Sequence, residues 1–309
     1  MRRTVALCLL IASAGLMISA GDVRGKSPAL GILILAHGHE KIWNNQIEEV
    51  ARQLPFSAEV ALGMAHRNSI QAALLRLQRR GVQKIAVVPL FVSSYSPIIR
   101  ASAYLLGLAA ERPPELEMFN NMSHGLQDPH RGLGDDAPEL TPIRADVPVK
   151  MTSALDDHPL VAQILADRAR SISRNPRHET VILVGHGPVS EIDNRRWLEN
   201  MDRLAIRLRN ECGFFEVQAR TLMQDAPANL RDQAAATLRL NVRSAARRGD
   251  VLLVPLLLSR GGIEHQLKTI LSGLRFRMPE KFLLPDARIA RWIAEQAESA
   301  DRQISLETK

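Results

Sequence analysis

Five short landmarks recur in the same order in the two halves of the chain, and this repeat constrains the fold more than any other feature. The first half gives ILILAHG, AEVALGM, QRRGVQKIAVVPLFVSS, the glycine of YLLGL, and VPVKMTSALDDHPLVAQIL. The second gives VILVGHG, FEVQARTLM, ARRGDVLLVPLLLSR, the glycine of ILSGL, and EKFLLPDARIARWI. From Pro89 to Gly107 and from Pro255 to Gly273 the spacing matches without a gap. Between the His-Gly and Val-Pro-Leu landmarks the second copy is longer, in a stretch of helices and loops. Such a repeat reads as a gene duplication giving two domains of like topology, residues 28–175 and 178–300, that meet near Asn175–Pro176.

Within each copy the period of the pattern switches. KIAVVPL and DVLLVPL are short, apolar and β-branched, so both faces must be covered, as in a parallel strand. Between such runs lie helical patterns. NSIQAALLRLQRRG, for example, is expected to start at an Asn68 or Ser69 cap and to stop at Gly81. Alternating strands and helices give an α/β fold, here two small parallel sheets flanked by helices with a cleft between them. Ligands of such sheets bind beyond the carboxyl ends of the strands. His37, His186 and the segments after Pro89 and Pro255 all fall there.

Residues 111–146, rich in Pro, Gly, Asn and Asp, show no period and form an irregular insert. Met118, Met122, His124 and His130 in it would suit a soft or borderline metal, while the composition equally suits plain disorder. The first 25 residues carry Arg2 and Arg3, an apolar run over 4–18 and a small-residue Ile18-Ser19-Ala20 site. They read as a signal peptide, and the run is shorter than the ~20 residues that span a bilayer comfortably. The expected location is therefore outside the cytosol, the periplasm in a Gram-negative cell, with no stable membrane insertion after cleavage and a membrane anchor if the leader stays. Of two cysteines only Cys212 lies beyond it, so the domains must hold by packing. A net charge of +7 is scattered over amphipathic stretches with 4% aromatics, which gives neither the basic stripe nor the stacking platform of a nucleic-acid binder.

The paired His-Gly strand ends, the VPLFVS and VPLLLS segments and DDHPLVAQIL resemble the sirohydrochlorin cobaltochelatase family, the class II chelatases of cobalamin and sirohaem synthesis, in tandem form. The resemblance runs over roughly residues 30–300. It implies ATP-independent insertion of Co²⁺, or of Fe²⁺ or Ni²⁺, into a tetrapyrrole, a lyase reaction that needs no nucleotide. The metal is then a substrate, and the partner is the tetrapyrrole. The family's second active-site histidine follows a small-residue pair; here Pro97 and Ile263 occupy that place, with Glu264 and His265 directly after Ile263.

Metal insertion needs a hold for a partly dehydrated cation and a base for two pyrrole N–H protons. Neutral imidazole serves both. His37, His186 and His265 are the candidate metal ligands, and His37, His265 and Glu264 the candidate catalytic set. The glycine after each strand-end histidine would let a flat macrocycle approach closely. Arg100, Arg260 and Tyr95 flank the expected cleft and suit a polycarboxylate. Each has a structural alternative: capping or core duty for His37 and His186, and the first turn of an amphipathic helix for His265. His39 reads as a loop residue, and His66 and His178 as surface or loop residues. His158 reads as a helix-entry residue, with Asp156 or Asp157 as the cap and Pro159 as the first helical residue. The rival function is an exported divalent-metal or tetrapyrrole carrier without catalysis.

Overall fold

The computed structural model describes residues 27–38, 40–123 and 140–307. The first half runs β1 (Ser27–Ala36), α1 (Lys41–Arg52), β2 (Phe56–Leu62), α2 (Arg67–Arg79), β3 (Lys84–Pro89), α3 (Pro97–Leu105), α4 (Glu115–Ser123), β4 (Val149–Met151) and α5 (Pro159–Arg170). A 3-10 turn at Pro176–His178 leads into β5 (Glu179–Gly185), α6 (Glu191–Cys212), β6 (Glu216–Thr221), α7 (Ala228–Ala246), β7 (Asp250–Leu256), α8 (Gly262–Ile270) and α9 (Ala287–Glu307).

These strands form two parallel sheets, ordered β2-β1-β3-β4 and β6-β5-β7. A parallel bridge from Leu252 to Arg277 stands beside β7 where β4 stands beside β3. The central strands β1 and β5 are covered on both faces: Ile32 to Leu35 and Val181 to Val184 are buried. That is why both read as unbroken apolar runs rather than alternating ones.

The last helix of each half crosses to the other sheet. Helix α9 packs on β3, β4 and α1. Lys84 Nζ of β3 donates to Asp301 Oδ1 of α9 at 2.9 Å and to Ser305 Oγ at 2.7 Å. Helix α5 packs in turn on α6 and β7, and Arg170 Nη2 pairs with Glu211 at 3.1 Å. One core therefore joins the sheets, with Ile32, Ile34 and Val88 on one side, Val181, Leu183 and Val254 on the other, and Leu165 and Trp292 among them. Each large side chain buried there contributes about 1.5–3 kcal/mol relative to exposure. Separate clusters cover the outer faces, Leu33 and Val87 with α2 and α3, and Ile182 and Leu253 with α7 and α8.

Three local expectations are corrected. Helix α2 starts at Arg67, not after Asn68 or Ser69, because the His66 ring accepts from Ser69 N at 3.3 Å and so caps it. His66 is a cap rather than a plain surface residue. At α5 the cap is His158 itself, whose Nδ1 accepts from Leu160 N at 3.3 Å, with Pro159 first in the helix as expected. The insert 111–146 is not wholly irregular, since it contains α4. Leu116 and Phe119, spaced for one helix face, are buried in the first sheet's outer cluster. Met118 is exposed at 45%. His124, His130, His39, the Met122 side chain and the leader lie outside the described residues. Among the described residues no helix is long and apolar enough to cross a membrane.

Candidate functional site

The two central strands end alike. His37 follows the last residue of β1 and His186 the last of β5, and both are half-buried. His37 Nδ1 lies 2.6 Å from Gly38 O, and His186 Nδ1 lies 2.7 Å from Gly187 O. A carbonyl oxygen can only accept, so each Nδ1 carries a hydrogen, and a neutral ring would then present its lone pair at Nε2. Neutral histidine can ligate a metal through either ring nitrogen, and this arrangement would offer Nε2. His37 stacks on Trp43, with centroids 5.8 Å apart and planes at 12°. His186 Nε2 lies 3.5 Å from Asp225 Oδ2.

The glycine after each histidine has a reason internal to the fold. Gly38 and Gly187 have φ of +69° and +77°. A Cβ would stand 3.0 Å from Leu62 Cβ in the first case, and 2.9 Å from Thr221 Cβ in the second. The chain thus turns left-handed while pressed against the end of β2 or β6, and only glycine fits. This close approach is to the protein's own strand, where the sequence suggested approach of a macrocycle.

The other candidates sit in the loops and helix starts after β3 and β7. Glu264, 14% exposed at its side chain, pairs with Lys268 at 2.9 Å and with Arg260 at 3.5 Å. His265 is exposed on the first turn of α8, and its backbone carbonyl accepts from Thr269 Oγ1. Arg260 is 60% exposed. Tyr95 lies under the Arg196 guanidinium, 5.2 Å from carbon to ring centroid. Arg100 holds Asp193 and Glu115, each at 3.0 Å, and so ties α3 to α6 and α4.

These contacts sort the candidates into two sides, each drawn from both halves of the chain. Gln46 Oε1 on α1 accepts from Ser259 Oγ at 3.0 Å, beside Arg260. The helix that follows His37 therefore meets the loop that leads to Glu264 and His265. Helix α6, which follows His186, meets Tyr95 through Arg196 and Arg100 through Asp193. Among the described residues no three His, Cys, Asp or Glu side chains lie close enough to hold a metal together.

Sequence reasoning missed the partners. Asp225 lies just past the end of β6, and extending the FEVQARTLM landmark by two residues would have reached it. Trp43, in the first turn after the His37 loop, gave no signal of stacking. Asp156 was read as a possible cap. Its Oδ1 instead accepts from Ser94 N at 2.8 Å and Asn200 Nδ2 at 2.9 Å, and its Oδ2 from Ser94 Oγ at 2.6 Å.

Two parallel sheets flanked by helices, with histidines at the carboxyl ends of the central strands, define a chelatase-like α/β fold. The sirohydrochlorin chelatase SirB from Bacillus subtilis subspecies spizizenii, in complex with cobalt, is similar with a TM-score of 0.55 at 16% identity, over 89% of this chain and 98% of that one. SirB from Bacillus subtilis with Fe³⁺ gives 0.54 at 16% identity, over 88% and 98%. DR2241 from Deinococcus radiodurans, a multi-domain protein with structural similarity to chelatases, gives 0.51 at 16%, over 87% of this chain and 54% of that one. No protein-family model matches the sequence, and no curated protein matches it.

Proposed function

We propose that this chain is a sirohydrochlorin-chelatase-like lyase in tandem, duplicated form. It inserts a divalent metal into sirohydrochlorin or a related tetrapyrrole without ATP. Co²⁺ is the first candidate, with Fe²⁺ and Ni²⁺ next. The observation that carries this reading is the pair of strand-end histidines, each with Nδ1 against the carbonyl of the glycine that follows it, in a fold shared over nearly the whole chain with a chelatase seen with cobalt. In this reading the leader directs the protein out of the cytosol.

The cation enters as M²⁺ and the macrocycle gives up two pyrrole protons, so M²⁺ plus the free base yields the metallated ring plus two H⁺. His37 Nε2 holds the cation. A site with few protein ligands releases its metal to four ring nitrogens, where a closed four-ligand cage would not. His265 and Glu264 take the protons and pass them to water. The exposed Arg260 faces substrate carboxylates. His186 with Tyr95 and Arg100 forms the degenerate counterpart, where cross-lobe pairs occupy the side chains.

His37→Ala should abolish Co²⁺ insertion into sirohydrochlorin, followed by visible absorbance, with thermal unfolding nearly unchanged. Unaltered turnover would retire the assignment. Wild-type protein that binds Co²⁺ in calorimetry yet never metallates the ring would decide for the carrier. That outcome has one observation in its favour: Glu264 is already paired to Arg260 and Lys268.

A further inference from the structure

Cations that are scattered along the sequence gather where the chain enters the second sheet. Three segments lead into the amino ends of β5, β6 and β7, and backbone contacts hold them together. Phe215 N, before β6, donates to Pro176 O in the turn before β5 at 2.9 Å. Gly249, before β7, presses on the same turn, since a Cβ there would run into His178 O. A fourth segment bridges to β7 through Arg277 and Leu252 in parallel. Arg275, two residues earlier on that segment, therefore stands level with Asp250 at the start of β7.

What these segments carry is one-sided. Arg174, Arg177, Arg247 and Arg275 are exposed and have no carboxylate partner among the described residues. Arg248 and Arg277 take up Glu216, Glu179 and Asp250. Phe215 stands among them, 49% exposed, with the Arg248 guanidinium carbon 5.8 Å from its ring centre. The first sheet has the same end without such a surface. Its cations fold back onto carboxylates: Arg76 and Arg80 onto Glu59, Lys84 onto Asp301, and Lys150 onto Glu307. Counted back from the strand-end histidines, Phe56 holds the register position of Phe215, and it packs against the core. The fold therefore does not require an exposed ring among unpaired arginines.

We infer that this end of the second sheet docks on the surface of an anionic phospholipid bilayer. Phe215 enters the headgroup region, and the arginines around it meet lipid phosphates. An aromatic ring flanked by guanidinium groups suits the boundary between headgroups and acyl chains. Nucleic acid carries phosphates too, but its bases need open ring faces to stack on. Arg248 already lies over a face of Phe215. The contact is peripheral and made by loop tips. His186 lies at the carboxyl end of β5, the opposite end of the same sheet, so docking leaves that rim facing away from the bilayer. The inference stands apart from the chelatase reading.

The test sediments the full chain with vesicles of phosphatidylcholine alone and of equal parts phosphatidylcholine and phosphatidylglycerol. Wild type should bind the mixed vesicles at least about tenfold tighter, and high salt should remove the preference. Arg177→Gln with Arg247→Gln should weaken binding about twentyfold, at about fivefold for each cation near the surface. Phe215→Ser should weaken it about fivefold, because a half-exposed ring is no longer buried. Arg195→Gln with Arg231→Gln removes the same charge from the first turns of α6 and α7, at the other end of the strands. That variant should bind within about twofold of wild type, since those charges lie beyond the screening length. All these positions are exposed, and thermal unfolding checks that each variant folds. Wild type that binds both vesicles alike, or neither, would overturn the docking face. So would an Arg195 and Arg231 variant as weak as the Arg177 and Arg247 one, or tighter binding to a DNA oligonucleotide than to the mixed vesicles.

Discussion

Removing the Asp156 carboxylate should open the cross-lobe clamp between the Ser94 loop and α6, and the structure sets the scale. Its oxygens accept from Ser94 N, Ser94 Oγ and Asn200 Nδ2. Ser94 Oγ in turn accepts from Ala154 N at 2.9 Å, and Asn200 is 5% exposed. With the carboxylate gone, Ser94 N and Asn200 Nδ2 lose their partner where water reaches poorly, at about 1–3 kcal/mol each. The backbone adds a second term, because Asp156 has φ of +43°. Alanine is strained there by about 1 kcal/mol relative to glycine.

Asp156→Ala should therefore cost about 3–7 kcal/mol, Asp156→Gly about 1 kcal/mol less, and Asp156→Asn about 1–2 kcal/mol, since Asn keeps one acceptor and tolerates the left-handed region. Urea unfolding at constant m-value reads the three as shifts in midpoint. A natural domain has only about 5–15 kcal/mol to lose, so the alanine variant should unfold at visibly lower urea. If alanine cost less than about 1 kcal/mol, or glycine were as damaging as alanine, the clamp and its backbone term would both be wrong.

Two further predictions concern pH. Glu179, 1% exposed, accepts from Ser173 Oγ, Arg174 N, Asn175 N and Arg277. Burial raises its pKa, but the bonds from those four groups outweigh it and hold the carboxyl below its ordinary 4.5. A depressed carboxyl stabilises the fold above the unfolded value and loses that contribution as pH falls through the folded one. Glu179→Gln should cost about 3 kcal/mol at pH 7, and the gap from wild type should close in urea melts taken below pH 4.5. His158 caps α5 through an unprotonated Nδ1, and burial, more than the opposing pull of Glu295, holds its pKa below the ordinary 6.5. The folded state thus resists a proton that the unfolded chain takes up, so this stability is present above pH 6.5 and fades as pH falls through the folded value. His158→Asn keeps a cap that does not titrate, so only wild type should weaken in melts taken at falling pH; parallel curves would remove the capping role.

What the sequence made legible was local or repeated. Parallel strands buried on both faces leave continuous apolar runs, and KIAVVPL and DVLLVPL became β3 and β7. His37 and His186 stand at strand ends as the apolar runs that stop at them implied. The exchange of α5 and α9 could not be read. DDHPLVAQIL and PDARIARWI each announce a helix with an apolar side, but a period says that a face is buried and not against which sheet. Helix α4 was hidden because its buried anchors Leu116 and Phe119 stand in a polar setting. Asp156 and Asp157 looked like caps because Asp before Pro is a cap signal; their partners, Ser94, Asn200 and Arg203, lie far along the chain.

The exchanged helices also bear on how a macrocycle would reach His37. Leu165 and Trp292 belong to the same buried cluster as both inner sheet faces, so parting the lobes would expose that whole core to water. Access must then come at the rim of strand ends, where loops can shift without breaking the core. On the His186 side that rim is crossed by the pairs Arg100–Asp193, Arg203–Asp157 and Asn200–Asp156. On the His37 side, among the described residues, Gln46 meets Ser259 through a neutral hydrogen bond, and Ile42 and Arg260 nearby are exposed. A neutral bond of that kind is worth about 1 kcal/mol net; on the other rim the half-exposed ion pairs add about 0–1 kcal/mol each, and the bond from buried Asn200 to Asp156 about 1.5–3 kcal/mol. Under the proposed chelatase function, the difference in what crosses the two rims makes the His37 side the one a macrocycle would enter.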